Sequence, residues 1–182
     1  MKKYGILLIF CLLIVLFAIT NLKKKDTNSS LSIGDEVTIN LNDDLKLDFY
    51  ILNINEKKQT STLIAKNSVK NVVCEDSECP NLFNELDTLK KEWKNIKDIR
   101  LVNDSDILSE EDLQINTDSI CTRLDSYLNP DKKAYYIKTS NEKIGYVKKK
   151  DNNCVEISFN ITTKNEYSLK PIIVVSNQYI DN

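Results

Sequence analysis

The chain has 182 residues, no histidine and a formal net charge of −2. Without histidine, Ser–His, Cys–His and His–metal chemistries are excluded, and with them the commonest general base and metal ligand. Five of the 25 basic residues (Lys2, Lys3, Lys23, Lys24 and Lys25) flank an N-terminal apolar run. The rest of the chain therefore sets 27 acidic residues against 20 basic ones, a net charge of −7 that argues against nucleic acid as a partner.

The apolar run, Tyr4–Leu22, has no charge between Ile6 and Ile19. Its nineteen residues at helical rise reach about 28 Å, close to the hydrocarbon thickness of a bilayer, and the flanking lysines can snorkel to headgroups. The competing reading is a cleaved signal peptide. Ala18-Ile19-Thr20 is a poor small-x-small cleavage site, and Lys23–Lys25 follow at once. A lipoprotein site at Cys11 is opposed by the bulky Phe10 and by the apolar run continuing beyond it. The sequence thus predicts a signal-anchor or transmembrane segment over residues 1–25, a polar linker over 26–32 and an α+β domain over 33–182. The lysine count on the two sides of the helix does not fix its orientation. The cysteines do more: Cys74, Cys79, Cys121 and Cys154 follow the anchor, and an even number there suits an oxidising, extracytoplasmic compartment. Four buried thiols are the alternative.

Along the domain, Ile33-Gly34-Asp35 reads as a turn into a strand over Glu36–Asn40, with Val37 and Ile39 on one face. Leu47–Ile54 and Thr60–Lys66 form the predicted hairpin, and Val69–Val73 extends the same sheet. Cys79-Pro80 opens the clearest helix, with Leu82, Phe83, Leu86, Leu89, Trp93 and Ile96 at helical spacing. Trp93 is read as a core anchor. Asp98–Val102 follows as a strand, and Asp106–Leu113 as a capped helical turn. Residues 116–131 carry no clear period. The last strands are expected at Ala134–Thr139, Lys143–Lys148, Cys154–Phe159 and Lys170–Ser176. The fold class is α+β: mostly antiparallel sheet with one or two inserted helices, behind an N-terminal transmembrane helix.

Three stretches carry a family resemblance. Ile33-Gly34-Asp35-Glu36-Val37 leads to Phe49-Tyr50-Ile51-Leu52 and Thr62–Lys66. Ile99-Arg100-Leu101 with Asp104–Ile107 is similar to an Arg-Leu-Pro-Thr-x-x-Glu segment before a short helix. Leu169–Ser176 is similar to a Val-Arg-Pro-Val-Ile-x-Ile-Ser terminal strand. Together they resemble a surface domain of low-G+C Gram-positive bacteria that is distantly C-type-lectin-like or formylglycine-generating-enzyme-like. Val102-Asn103 stands in place of Pro-Thr and Lys170 in place of Arg, and the Trp- and Gly-rich middle is nearly absent. The resemblance implies a fold class alone; no catalytic or sugar-binding residue transfers from it.

Cys74 and Cys79 are close enough for a short-loop disulfide, after which Cys121 and Cys154 would pair; sequence alone leaves three connectivities open. A four-cysteine zinc site is opposed by the 33-residue separation of the second pair. Acidic clusters at Asp43-Asp44, Glu75–Glu78, Asp104–Asp106 and Glu110–Asp112 read as turns and caps rather than calcium ligands. Lys148–Lys150 reads as sheet-edge lysines that keep a hairpin soluble. No catalytic, cofactor-binding or metal residue is expected. Tyr135, Tyr136 and Tyr146 are the candidate surface aromatics for a glycan, against their reading as strand-packing residues. The expected partners are the membrane, through residues 4–22, and an envelope protein or glycan. The functional expectation is a membrane-anchored cell-envelope protein acting as a non-enzymatic binding or structural module. An envelope hydrolase using Asp/Glu carboxylates is the alternative.

Overall fold

The computed structural model describes residues 31–113, 118–130, 133–151 and 154–181. The expected membrane segment and most of the linker lie outside the described residues; among those described, no helix is long and apolar enough to cross a membrane. Leu31–Asn182 cluster as one unit.

The first three strands follow from period-two patterning: β1 (Glu36–Asn40), β2 (Lys46–Asn55) and β3 (Thr60–Ala65). A tight β2–β3 connection is held by Asn55, whose side-chain oxygen accepts the Lys58 N–H at 3.0 Å. Strand β4 (Lys70–Cys74) leads to helix α1 (Pro80–Glu92). There Pro80 occupies the first helical turn, where a missing N–H costs nothing. Leu82 and Leu86 face inward, whereas Phe83 is 38% exposed. Trp93 closes the helix by donating its backbone N–H to Leu89 O, and its ring meets Phe49 edge-on at 6.5 Å. Asn95 then turns the chain with φ 66° and donates its side-chain amide to Asn40 O at 2.8 Å. Ile96, placed on the helix by its spacing, therefore belongs to strand β5 (Ile96–Arg100).

The remaining elements are β6 (Val102–Asn103), a 3-10 turn at Asp104–Asp106, α2 (Glu110–Leu113), β7 (Ser119–Thr122), a 3-10 turn at Ser126–Leu128, β8 (Tyr135–Lys138), β9 (Ile144–Lys149), β10 (Val155–Ser158), β11 (Asn165–Leu169), β12 (Ile172–Ser176) and β13 (Ile180–Asp181). The strands form two sheets. The first is antiparallel, in the order β13-β1-β2-β3-β12-β5. The second runs β4-β11-β8-β9-β10-β7, with β6 pairing beside β11 on the edge of β8 that faces away from β9. It is antiparallel except where β6 and β11 meet β8. The α+β class and its antiparallel character stand. The placement of 69–73 is corrected: β4 does not extend the first sheet but pairs with β11 in the second, Val72 opposite Tyr167.

Strands β3 and β12 are buried on both sides, so adjacent residues feed two different cores. Leu63, Ile173 and Val175 join Phe49, Leu82, Leu86 and Trp93 in one cluster. Ile64 and Ile172 join Val102, Tyr135, Ile137, Val147 and Ile157 in the other. This two-sided burial is why Leu63-Ile64 and Ile172-Ile173 read as continuous apolar runs rather than alternation.

Candidate binding cleft

The four cysteines of the domain pair as Cys74–Cys79 and Cys121–Cys154, with Cα separations of 4.9 and 5.8 Å. The first bridge ties the end of β4 to the start of α1. Asp76 shapes the intervening turn by accepting the N–H groups of Glu78 and Cys79 at 2.9 and 3.2 Å. The second bridge ties edge strand β7 to the start of β10, its neighbour in register. No sulfur of either pair remains as a thiolate ligand for zinc. Among the described residues, no group of three or more metal-ligating side chains stands together.

The acidic clusters resolve into local structure. Asp104 is buried and accepts the Ser140 N–H at 2.7 Å and the Ser140 hydroxyl at 2.8 Å. Asp106 takes a two-pronged bond from Arg100, at 2.5 and 2.8 Å, together with the Asn103 N–H at 2.7 Å. Two segments that carried the family resemblance thus owe their charged residues to packing. Arg100 fastens β5 to the following turn. Lys170 sits 1% exposed beneath the carbonyls of Tyr127 and Asn129.

Of the three candidate surface tyrosines, two are interior. Tyr135 and Tyr136 lie on β8, which has strand neighbours on both edges and core on both faces, and neither is exposed. The Tyr135 hydroxyl donates to Leu128 O at 2.7 Å. The Tyr136 hydroxyl lies 3.0 Å from the carbonyls of both Val72 and Asn165 and accepts the Tyr167 N–H at 3.2 Å. It ties β8 to β4 and β11. Burial raises the phenols of Tyr136 and Tyr167 above their ordinary value of 10.0, so both stay protonated at neutral pH.

Tyr146, on β9, is half-buried and differs from the other two. Its ring packs 4.9 Å from Tyr167, and its hydroxyl reaches Glu156 Oε1 at 3.4 Å. It borders a cleft of about 370 Å³ where the chain leaves β10 and returns as β11. Glu156 and Ser158 of β10, Asp118 just before β7, Asn160 of the connecting stretch and Asn165 at the start of β11 help form its walls. Glu156 is also 3.7 Å from the Lys148 ammonium, which lies over the Tyr146 ring at 5.6 Å. Three hydrogen bonds brace the polar points of the cleft. The Ser158 hydroxyl donates to Asn160 O at 2.9 Å, Asn165 donates to Thr163 O at 2.7 Å, and Phe159 N–H donates to Asp118 O at 3.0 Å.

Sequence reasoning reached Tyr146 but not the residues around it. Asp118, Glu156, Asn160 and Asn165 come from three separate segments and form no spaced motif. The one available signal was a run of hydrogen-bonding residues, Asn160 to Asn165, interrupted by a single apolar residue, Ile161. Comparison of the chain with protein-family models, with curated proteins and with solved structures finds no match.

Proposed function

We propose that this protein is a single-pass, membrane-anchored module of a cell envelope, whose domain stands outside the cytoplasm and binds a protein or glycan partner without catalysis. The observation that carries this reading is the complete pairing of the four cysteines beyond the apolar run. Cytosolic reductants keep such pairs open, whereas extracytoplasmic compartments preserve them. The length of Tyr4–Leu22 and its bracketing lysines supply the tether. The resemblance to a Gram-positive surface domain agrees with this placement. Fractionation tests the tether. The mature protein is expected in the membrane pellet after carbonate washing, with an intact mass that retains residues 4–22. A mature chain beginning beyond residue 20 and found in the supernatant would contradict it.

One observation favours a second reading. Asp118 and Glu156 line the same cleft, and a carboxylate pair is the minimum equipment of a glycoside hydrolase. On that reading the full chain releases reducing ends from cell-wall glycan, and Asp118→Asn or Glu156→Gln abolishes the release. No release by the unmodified protein ends it.

A further inference from the structure

We infer that the cleft beside Tyr146 is a binding site for the hydroxyl-rich chain of a glycan. This rests on the outward-facing reading for its biological setting, since that is where such chains are met. The argument begins with the chemistry of the lining. Each of its nine side chains carries a hydrogen-bonding group, and none is aliphatic or cationic. An apolar ligand would gain nothing by entering, because the free energy of apolar binding comes from apolar surface removed from water. A phosphate or other anion would meet the carboxylates of Asp118 and Glu156. The ammonium of Lys148 is already directed at Glu156, and that of Lys164, which follows the lining residue Thr163, at Glu75. A peptide adding as a strand would run along the open edge of β7, of which this lining holds Ser119 alone, and the lining offers it no apolar side-chain pocket.

Amides and hydroxyls both donate and accept, as do the hydroxyls of a sugar ring. Asn160, Asn165, Ser158 and the threonines that follow Ile161 provide that pairing, and the two carboxylates add strong acceptors. The volume of about 370 Å³ falls in the range of small-ligand sites, about 300–1,000 Å³. Prior ordering of the walls lowers the entropic cost of binding. Ser158 is already bonded to Asn160 O and Asn165 to Thr163 O, each two residues away, and the Cys121–Cys154 bridge holds β7, which follows directly from Asp118, against β10. Tyr146 contributes its hydroxyl and ring edge rather than a stacking face, because Tyr167 and Lys148 approach its ring.

The test is calorimetric titration of the full chain in a detergent without a sugar headgroup. The probes are β-1,4-linked tetrasaccharides of N-acetylglucosamine and of glucose, and a polyglycerol phosphate. At least one tetrasaccharide is expected to bind saturably. The double variant Asn160→Ala/Asn165→Ala should weaken it about tenfold or more. Because Asn165 also braces the turn, Thr162→Val/Thr163→Val on the exposed loop gives a second reading and should weaken binding in the same direction. Phe83→Ala, on helix α1 and outside the lining, should leave it unchanged. Absence of saturable binding to both sugars overturns the inference. So does undiminished binding by both double variants, or a preference for the polyglycerol phosphate. These outcomes are independent of topology. A domain shown to face outward but unable to bind sugar refutes this inference alone. A domain that binds sugar but faces inward refutes the envelope reading alone.

Discussion

Replacing Gly145 by alanine is expected to cost the domain about 3 kcal/mol or more, the upper range for forcing atoms into a packed site. A Cβ at this position would stand 2.1 Å from Ser158 O, 3.1 Å from Ser158 C and 3.2 Å from Phe159 Cα. All three are backbone atoms at the end of β10, so no side chain can swing aside. The two strands would have to part where Tyr146 lies opposite Ser158, or the chain beyond Ser158 would have to move, taking a wall of the cleft with it. Urea unfolding of the full chain in detergent measures the loss. Gly34→Ala is the comparison. It sits at φ 90° with its nearest non-neighbouring atom 3.6 Å away, so its cost is conformational, about 1–2 kcal/mol. Equal, small losses at both positions would show that β9 and β10 are not in the close contact described.

Lys170→Met is expected to destabilise by about 1–3 kcal/mol, because it leaves two part-buried carbonyls without their donor. The Lys170 ammonium lies 3.3 Å from Tyr127 O and 3.2 Å from Asn129 O, and 5.5 Å from the centre of the Tyr135 ring. Desolvating an ammonium costs several kcal/mol, and this site repays it with carbonyl oxygens and an aromatic face. Methionine keeps the length of the side chain and removes the charge. Two carbonyls of the 126–129 turn would then face an apolar end group. The consequence is local as well as global. The Leu128 and Asn129 amides, which close that turn onto Asp125 O and Ser126 O, should exchange hydrogen faster than in the unmodified chain. Unchanged stability together with unchanged exchange would show that the ammonium does not hold this turn.

These two positions show what was legible in the sequence and what was not. Strands β1, β2 and β3 and the start of α1 could be read locally, because alternating apolar residues and a helix-opening proline act within a few residues. The far end of α1 could not. Ile96 continues the helical spacing, but the chain turns at Asn95 through a bond to Asn40, which is distant in sequence. Strand β11, Asn165–Leu169, carries few apolar residues and is held by partners on both sides, so its own pattern was too weak to show it. Tyr135 and Tyr136 could be read from the sequence as surface aromatics or as strand-packing residues, and the packing reading holds. Only the second sheet, covered on both faces at β8, explains their burial. The departure from the family pattern at Lys170 was visible in the sequence, but its role was not, because its partners come from a turn some forty residues earlier. The candidate cleft was the least legible feature. Its walls are assembled by strand pairing between β7, β10 and β9, and no local spacing records that.

The most direct test of the account is the state and side of the four cysteines in intact cells carrying the full chain, read with a membrane-impermeant maleimide. The account predicts no label on Cys74, Cys79, Cys121 or Cys154 before reduction. After an impermeant reductant is added outside, label should appear on Cys121 and Cys154, the pair that solvent reaches, without permeabilising the cell, whereas Cys74 and Cys79 are buried and take label only once the domain is unfolded. Labelling that needs permeabilisation but no reductant would place the thiols free and inside, and would contradict the account.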